Sequence, residues 1–416
     1  MDGIFNRLIA YAVPAGVTLN REQKHAILAS YLGWTLDAFD FFLLVFVMKD
    51  VAKEFDTDVK AVAWAVTLTL ALRPVGAFIF GRAADRFGRR PTLIVDILLF
   101  SVLGFATGFS PNLTVFLIIR ALFGIAMGGE WGVGSSLVME TIPANARGFV
   151  SGLLQSGYPT GYLLASVAYG LLFETIGWRG MFFLGVLPAL LVLYIRRSVS
   201  ESPHWQATSQ EPRISIFSVL QANWQLALYA VILMTAFNFL SHGTQDLYPT
   251  FLQVQHGFEH HTVSMILIIQ NIGAILGGIF CGVLSERYGR RRVMTIAALL
   301  VLPVIPLWAF STGPVLLAIG AFSMQLMVQG AWGVIPAHLN ELSPAASRGT
   351  FPGFVYQLGN FIASSNAVIQ ATMAEGWGNN YGLALAIVVL CAAAAIAALA
   401  PLGGEARGLT LGERAR

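Results

Sequence analysis

The sequence is poor in charged residues and in cysteine. Only 11% of its 416 residues are charged, whereas 56% are hydrophobic, and the mean hydropathy is positive. This balance excludes a water-soluble globular protein and is typical of a chain that crosses a membrane several times. Cys281 and Cys391 both lie inside apolar segments, so neither a disulfide nor a metal site is expected. No set of nucleophile, base and orienting group stands out, so we expect neither an enzyme nor a cofactor nor a nucleic-acid partner.

Long apolar runs divide the chain into twelve candidate membrane segments. Each is close to or longer than the about 20 residues that a helix needs to cross the hydrocarbon core. The predicted segments are 27–48, 61–80, 91–109, 112–138, 149–173, 179–196, 223–251, 262–283, 293–311, 313–337, 350–374 and 380–400. The sequence therefore predicts an all-α membrane protein with twelve transmembrane helices.

Arginine residues are concentrated in every second loop between these segments. Cytoplasmic loops of membrane proteins carry an excess of Lys and Arg, so these loops and both termini are predicted on the cytoplasmic side of the cell inner membrane. The loop arginines include Arg82, Arg86, Arg89, Arg90, Arg147, Arg196, Arg197, Arg287, Arg290, Arg291, Arg292 and Arg348.

The two halves of the chain repeat each other. The stretch GRAADRFGRR at 81–90 recurs as GVLSERYGRR at 282–291, and the offset is 282 − 81 = 201. A second pair of stretches, at 128–148 and 329–349, has the same offset, which indicates a tandem duplication of two pseudo-symmetric six-helix bundles. The predicted organisation is a cytoplasmic segment at 1–24, a domain at 25–197, a cytoplasmic linker at 198–222, a second domain at 223–400 and a cytoplasmic tail at 401–416.

Charges that occur in only one half are candidates for a ligand site, because scaffold residues should occur in both. The unpaired ionisable residues include Asp37, Asp40, Arg120, Glu130, His242 and Asp246. Arg73 lies in the cytoplasmic third of the second segment and Asp96 lies similarly in the third segment, and we expect Arg73 either to snorkel or to pair with Asp96. Ionisable groups at membrane depth are costly and usually functional.

Asp37 and Asp40 lie three residues apart on one helix, with Trp34 on the same face. Two carboxylates in a low dielectric do not both ionise comfortably, which suits a proton carrier. The alternative is a fold-stabilising pair with a neighbouring arginine.

Arg120 in the fourth segment is a candidate for binding a substrate carboxylate through two parallel hydrogen bonds. Alternatively, it is a counter-ion of Asp37 or Glu130. Glu130 is ten residues further along, about 15 Å in a helix, so it is a separate candidate proton site or a structural residue.

The seventh segment carries a polar stripe within an apolar run. Asn238, Ser241, His242, Gln245 and Asp246 fall within an arc of about 140° on a helical wheel. We expect this stripe to face the bundle interior and to bind substrate, with His242 and Asp246 paired across one helical turn. The alternative is that the stripe only satisfies its own hydrogen bonds at the domain interface.

The loop between the second and third segments, which recurs in the second half, suggests a gate between the halves. Its Asp85 can accept hydrogen bonds from a helix N-terminus of the other half. Arg89 and Arg90 either take part in the gate or only set the topology. The predicted gating residues are Asp85, Arg89, Arg90, Glu140, Arg147, Glu286, Glu341 and Arg348.

These motifs resemble those of the major facilitator superfamily. The pattern G-x-x-x-D-R-x-G-R-R, its weaker copy with Glu286 in place of Asp, the Arg120-x-x-x-Gly124 run and E-S-P-x-W at 201–205 span nearly the whole chain. The stretches at 34–42 and 128–131 resemble the sialate:proton symporter branch. Within it, Asn238-x-x-Ser241-His242-x-Thr244-Gln245-Asp246-x-x-x-Thr250 is similar to the signature of lactate/pyruvate:proton symporters.

The resemblance implies a secondary transporter that couples a proton to a short monocarboxylate such as lactate or pyruvate. Sialic acid or an aromatic acid is the alternative substrate, and a non-transporting membrane sensor is the alternative function. The implied partners are an organic anion, a proton and the lipid bilayer, with the chain acting as a monomer. The predicted substrate-binding residues are Trp34, Arg120, Asn238, His242 and Gln245, and the predicted proton-coupling residues are Asp37, Asp40, Glu130 and Asp246.

Overall fold

A computed structural model describes residues 18–57, 59–208, 216–405 and 407–408, and all regular structure in these residues is helical. The N-terminal half contains α1 (Arg21–Glu54), α2 (Val59–Phe87), α3 (Arg89–Thr107), α4 (Leu113–Thr141), α5 (Arg147–Gln155), α6 (Gly157–Phe183) and α7 (Leu187–Ser198). The short helices α8 (Pro203–Thr208) and α9 (Ile216–Ala222) follow. The C-terminal half contains α10 (Trp224–Gln245), α11 (Tyr248–Thr250), α12 (His260–Tyr288), α13 (Arg290–Val301), α14 (Ile305–Ala309), α15 (Pro314–Trp332), α16 (Ile335–Leu342), α17 (Phe351–Ala363), α18 (Asn366–Gly376) and α19 (Tyr381–Leu399).

The described helices supply twelve membrane crossings. Ten helical runs are long and apolar enough to span a membrane, and one of them, Ala144–Ser198, has 55 residues. That run turns at Gly177, whose φ of 62° is available to glycine at little cost, so it contains two crossings. The pair α17 and α18 corresponds to α5 and α6 by the 201-residue offset and supplies the remaining crossing. This is the predicted all-α fold of two six-helix halves.

The helices extend beyond the predicted apolar segments because polar residues cap them. The first segment was expected at 27–48, whereas α1 begins at Arg21, where Asn20 and Gln23 exchange hydrogen bonds in a capping box. The predicted segments at 1–24, 198–222 and 401–416 lie partly outside the described residues, and the domain boundaries stay predictions.

The seventh crossing is interrupted where the sequence places a proline. Helix α10 ends at Gln245, and the short α11 around Pro249 leads into a π-helix at Phe251–Gln255. Proline lacks a backbone donor, so the α-helical ladder cannot continue through it. The break follows directly after the polar stripe and lets the outer end of the crossing take a different course.

Glycines let helices approach closely in the same way in both halves. A Cβ atom on Gly76 of α2 would lie 1.7 Å from the carbonyl oxygen of Ile125 on α4. The repeat-related Gly277 of α12 would meet the carbonyl oxygen of Leu326 on α15 at 2.0 Å. Neither position can accept a side chain without moving a helix, so these contacts fix the frame of each half.

The two halves meet at the face that carries the arginine-rich loops, here called the arginine-rich face. The carboxylate of Asp85 accepts hydrogen bonds from the backbone N–H groups of Gly349 (2.7 Å) and Thr350 (3.1 Å) and from the Thr350 hydroxyl (2.6 Å). Glu286 accepts a hydrogen bond from the N–H of Gly148 at the pseudo-symmetric position. Each half thus places a carboxylate at a helix N-terminus of the other, as expected for Asp85.

The remaining predicted gating residues surround these contacts. Arg89 binds Glu140 through two N–H groups at 2.9 and 3.0 Å, and Arg290 binds Glu341 in the same way at 2.9 and 3.1 Å. Arg147 reaches Glu341 across the interface at 3.7 Å. Their roles as a gate stay predictions.

Two further arginines bind backbone oxygens rather than carboxylates. Arg90 donates to the carbonyl of Arg196, and Arg348 donates to the carbonyls of Asn340 and Ser343. The linker also joins the gate region, because Glu201 accepts the N–H groups of Arg89 and Arg90, and the indole N–H of Trp205 donates to the carbonyl of Asp85 at 3.1 Å.

We expect Asp85→Ala to loosen the arginine-rich face. It removes three hydrogen bonds at the N-terminus of α17, so the free energy of unfolding should fall by about 1–2 kcal/mol, as for a lost helix cap. Spin labels on Phe87 and Tyr288, which are 62% and 58% exposed, should report a longer or broader distance between the halves. Glu375→Ala, an exposed acidic residue far from this contact in sequence, is the control. An unchanged label distance in Asp85→Ala would exclude a gating role.

Candidate functional site

A central cavity lies between the two halves. Both halves contribute polar and aromatic side chains to its wall, which comprises Trp34, Phe41, Leu70, Arg73, Gln155, Tyr158, Asn238, Ser241, His242, Gln245, Gln329, Trp332, Tyr356 and Asn360. The cavity measures about 40 Å³, which is room for only a few water molecules. A ligand larger than these waters therefore requires the halves to part before it can enter.

The C-terminal wall is built from the polar stripe of α10. Nδ1 of His242 lies 3.1 Å from Oδ1 of Asp246, and its Nε2 lies 2.9 Å from Oδ1 of Asn360 on α17. The side chains of His242 and Asp246 are 22% and 33% exposed, so solvent reaches this pair. The stripe faces the space between the halves, and the predicted pair across one helical turn is formed.

Amides extend this wall beyond the stripe. The amide of Gln245 donates to Gln325 at 3.1 Å, and that of Gln329 donates to the hydroxyl of Ser241 at 3.2 Å. Gln325 also donates to Thr244 at 2.9 Å. The stripe is therefore bound into a hydrogen-bond network with α15, and its side chains are held in place before any ligand binds.

The cationic side chain of the N-terminal wall is Arg73 of α2. It is buried, its Nη2 lies 3.7 Å from Oδ2 of Asp37, and its guanidinium lies 5.4 Å from the centre of the Phe41 ring. The sequence suggested snorkelling of Arg73 or a pair with Asp96, and both interpretations are wrong. The missed signal is in the repeat, because Arg73 corresponds to the uncharged Ala274 (274 − 201 = 73).

Arg120 lies within the N-terminal bundle and not in the cavity wall. Its Nη1 is 3.2 Å from Oδ2 of Asp40, and both side chains are almost completely buried. The guanidinium also lies 4.0 Å from the centre of the Phe123 ring. Gly104 and Gly185 make room for Asp40, since a Cβ atom on either would lie 2.9 Å from Oδ1 of that residue. Arg120 is thus the counter-ion of Asp40, a partner that the sequence did not single out.

Two more buried carboxyl groups lie near Asp37. Neither oxygen of Asp96 on α3 has a hydrogen-bond partner among the described residues, and Oε2 of Glu130 on α4 also lacks one. Both groups lie within electrostatic range of Asp37. Arg73 is the cation of this group, so the carboxyl groups outnumber it. Asp96 was not predicted as a site residue, although it corresponds to Ala297 in the repeat.

Trp34 lies in the cavity wall as expected. Its ring stacks on that of Tyr158, with centroids 5.5 Å apart and an angle of 29° between the planes. Asn238 is also in the wall, where its amide donates to the carbonyl of Met234 at 2.8 Å. The predicted residues therefore divide into a cavity group, with Trp34, Asn238, His242 and Gln245, and a buried group within the N-terminal half.

Known proteins are similar to this chain in sequence. The sequence matches the Major Facilitator Superfamily over residues 30–260 and 247–412. It is 30% identical to a carboxylic acid transporter protein homolog of Saccharomyces cerevisiae, over 83% of this chain and 60% of that protein. It is 27% identical to the sialic acid transporter NanX of Escherichia coli, over 90% of this chain and 92% of that protein. A probable 4-methylmuconolactone transporter of Cupriavidus pinatubonensis is 30% identical over 89% of this chain and 87% of its own length.

Solved structures share the fold. The proton:xylose symporter XylE superposes with a TM-score of 0.79 at 18% sequence identity, over 94% of this chain and 98% of that chain. The human organic anion transporter MFSD10 superposes with a TM-score of 0.71 at 14% identity, over 91% and 100%. These relatives are transporters and not enzymes. With twelve membrane crossings in its described residues and two repeated halves, the chain is a multi-pass membrane transport protein and belongs to the Major Facilitator Superfamily.

Proposed function

We propose that the protein is a secondary active transporter that couples a proton to a small organic anion. The first candidate substrate is a short monocarboxylate such as lactate or pyruvate. One observation carries the proposal: Arg73 on one wall of the cavity and the His242 network on the other can bind a carboxylate between them. Relatives named as carboxylic acid and sialic acid transporters support an organic acid as the substrate class.

A second candidate substrate is an aromatic acid or sialic acid. Trp34, Tyr158, Trp332 and Tyr356 line the same cavity and offer flat apolar surfaces against which a ring can pack. Competition against labelled lactate by benzoate and by sialic acid distinguishes these substrates, because the preferred anion inhibits at the lowest concentration.

Charge gives the physical reason for coupling. Moving one anion across the membrane costs or gains about 2.3 kcal/mol per 100 mV of potential. A co-transported proton cancels this dependence, so uptake can proceed against a negative interior potential. The buried carboxyl groups of the N-terminal half are the sites where such a proton can be carried.

Arg73 is the group that we propose binds the substrate carboxylate. Its 3.7 Å separation from Asp37 exceeds the about 2.7–2.9 Å of a tight charge-assisted hydrogen bond, so the pair is loose enough to exchange partners. A substrate carboxylate that takes Arg73 leaves Asp37 buried without its cation. Asp37 then takes up a proton, because an isolated buried carboxylate is strongly disfavoured. Substrate and proton therefore bind together.

The other predicted proton sites have subsidiary roles in this proposal. Glu130 and Asp96 are the next proton sites in this proposal, because both are buried and have carboxyl oxygens without a hydrogen-bond partner among the described residues. Asp40 is held by Arg120, which we now propose as a positioning residue in place of the substrate clamp expected from the sequence.

His242 can carry charge on the opposite wall. Its two ring nitrogens face two acceptor oxygens, from Asp246 and Asn360, and a neutral imidazole can donate through only one nitrogen. The amide N–H of Asn360 donates to Oε1 of Gln357 at 3.3 Å, which supports an orientation in which the Asn360 oxygen faces His242. A protonated His242 would stabilise a substrate anion bound between it and Arg73.

Transport then requires the two halves to rock about the cavity. The contacts of Asp85, Glu286 and Arg147 at the arginine-rich face would hold that side closed while the opposite side opens. We place the protein in the cell inner membrane with both termini cytoplasmic, because the arginine-rich loops all lie on one face. The transporting unit is proposed to be a monomer, since each chain contains both halves of the cavity.

Uptake of labelled lactate into proteoliposomes tests the function. An imposed inward proton gradient should drive accumulation, and collapsing it with a protonophore should abolish accumulation. Lactate uptake at the same rate with and without the proton gradient would contradict coupling. An absence of lactate uptake, together with proton-driven uptake of an aromatic acid, would transfer the proposal to the second substrate class.

We predict that Arg73→Lys impairs substrate binding although it keeps the charge. Loss of one charge-assisted hydrogen bond, about 1.5–3 kcal/mol, should raise the KM for lactate roughly tenfold to a hundredfold. Arg120→Lys should instead lower the thermal unfolding midpoint with little change in KM, because Arg120 holds Asp40. The reverse pattern in the two variants would make Arg120 the substrate-binding residue.

Asp37→Asn should separate proton coupling from substrate movement. The amide cannot exchange a proton, so accumulation against the lactate gradient should be lost, whereas exchange of labelled for unlabelled lactate should continue. Asp50→Asn, near the far end of the same helix, serves as the control. Accumulation by Asp37→Asn at the wild-type level would move the proton site to Asp40, Glu130 or Asp246.

His242→Ala and Asp246→Asn should each lose most lactate uptake while the protein remains folded. Both groups are partly exposed, so their loss should leave the thermal unfolding midpoint almost unchanged. Thr235→Val on the same helix is the control, because the Thr235 hydroxyl donates to the carbonyl of Val231 within the helix. Thr244 is unsuitable, since it belongs to the Gln325 network. Normal uptake by both variants would show that the stripe only stabilises the interface.

A further inference from the structure

A basic basin lies at the arginine-rich face, away from the central cavity. It forms where the turn between α12 and α13 meets the chain that follows α19, and its volume is about 620 Å³. Four arginine side chains line it, together with the phenol of Tyr288 and the hydroxyl of Thr295. The arginines are Arg287, Arg291, Arg292 and Arg407. A volume of this size accommodates a ligand much larger than a single ion.

The basin carries an excess of positive charge. Its carboxylate, Glu405, accepts the backbone N–H groups of Arg290 at 3.1 Å and Arg291 at 3.2 Å and so caps the start of α13. In the part of the chain that the structure describes, the four arginines form no ion pair. Arg291 donates to the carbonyl oxygen of Ala400, and Arg407 donates to that of Glu286. These hydrogen bonds position both guanidinium groups at the basin.

The duplication provides an internal comparison for these residues. Arg287 and Arg291 have counterparts in Arg86 and Arg90, so they belong to the shared frame. Two of the polar residues have apolar counterparts at the 201-residue offset, because Arg292 corresponds to Pro91 and Thr295 corresponds to Ile94. Arg407 lies two residues after the capping Glu405, and Pro203 lies two residues after the capping Glu201, at an offset of 204. Arg292 and Thr295 are therefore polar residues that only this half has, and the frame shared by the two halves does not require them.

The surroundings of the basin select a lipid over a soluble anion. Ile296 in its wall is 53% exposed, and Leu299 and Leu300, each 46% exposed, continue the same face of α13 away from the arginines. This apolar strip leads from the basin along a membrane-spanning helix. A ligand with an anionic head and a long apolar chain matches both parts.

We propose that the basin binds the headgroup of an anionic glycerophospholipid, with Arg292 and Arg407 on either side of its phosphate and an acyl chain along Ile296, Leu299 and Leu300. The bound lipid would join the chain after α19 to the start of α13 and so stabilise the arginine-rich face of the C-terminal half.

Native mass spectrometry of the full-length protein in detergent, titrated with phosphatidylglycerol, tests this proposal. The wild type should retain one phosphatidylglycerol and no phosphatidylcholine, and phosphatidylglycerol should raise its thermal unfolding midpoint. Arg292→Gln and Arg407→Gln should each weaken retention about fivefold, the value of one arginine near an anionic lipid. Arg86→Gln, at the corresponding turn of the other half, should leave retention unchanged.

Equal phosphatidylglycerol retention by the Arg292→Gln/Arg407→Gln double variant would overturn the proposal. So would an equal rise of the unfolding midpoint with inorganic phosphate, because the basin would then be a site for a free anion. If the double variant is not folded, Thr295→Ile, which introduces the residue of the other half, replaces it. Weaker phosphatidylglycerol retention by that variant supports the proposal, and unchanged retention contradicts it.

Discussion

The constraint on which the rest of the structure depends is the shortage of cations among the carboxyl groups buried behind the cavity wall of the N-terminal half. Four carboxyl groups and two arginines are enclosed there, apart from the pair of Arg89 and Glu140 at the arginine-rich face, namely Asp37, Asp40, Asp96, Glu130, Arg73 and Arg120. A buried charge without a partner costs several kcal/mol, so at least some of these carboxyl groups must hold protons while the others keep the arginines. We propose that protonation is part of the folded state and that a ligand bound to Arg73 changes it.

The contacts that hold the two halves together occur in both repeats, whereas the groups proposed to bind the substrate occur in only one. The contacts at the arginine-rich face occur twice, with Asp85 on the N-terminus of α17 and Glu286 at the start of α5. The groups in and behind the cavity occur once, so each wall has its own chemistry: Arg73 on one side and His242 with Asp246 on the other. Symmetric contacts suit two halves that move as rigid bodies, whereas asymmetric walls give the cavity a defined orientation for an anion.

The sequence predicted the twelve helices, the repeat, the contact of Asp85 and the inward polar stripe, because each depends on local pattern or on the offset between the halves. It did not place Arg120, since a helical wheel cannot distinguish a side chain that points into its own six-helix bundle from one that points into the cavity between bundles. Arg73 was predicted either to snorkel or to pair with Asp96 in the cytoplasmic third of the membrane. The repeat test applied to Asp37 would have singled them out as well, because both correspond to alanines in the other half.

The arrangement of counter-ions also bears on how many protons accompany each anion. Asp37 lies beside Arg73, and Asp246 lies beside His242, so an acidic group faces a basic group on each side of the cavity. Asp246 is partly exposed to solvent, whereas Asp37 is fully buried. In the proposed mechanism, a substrate carboxylate that replaces Asp37 on Arg73 adds one negative charge, and one buried carboxylate then accepts one proton. The proposed ratio is therefore one proton for each monovalent anion, and Asp40 does not change it because Arg120 is paired with Asp40.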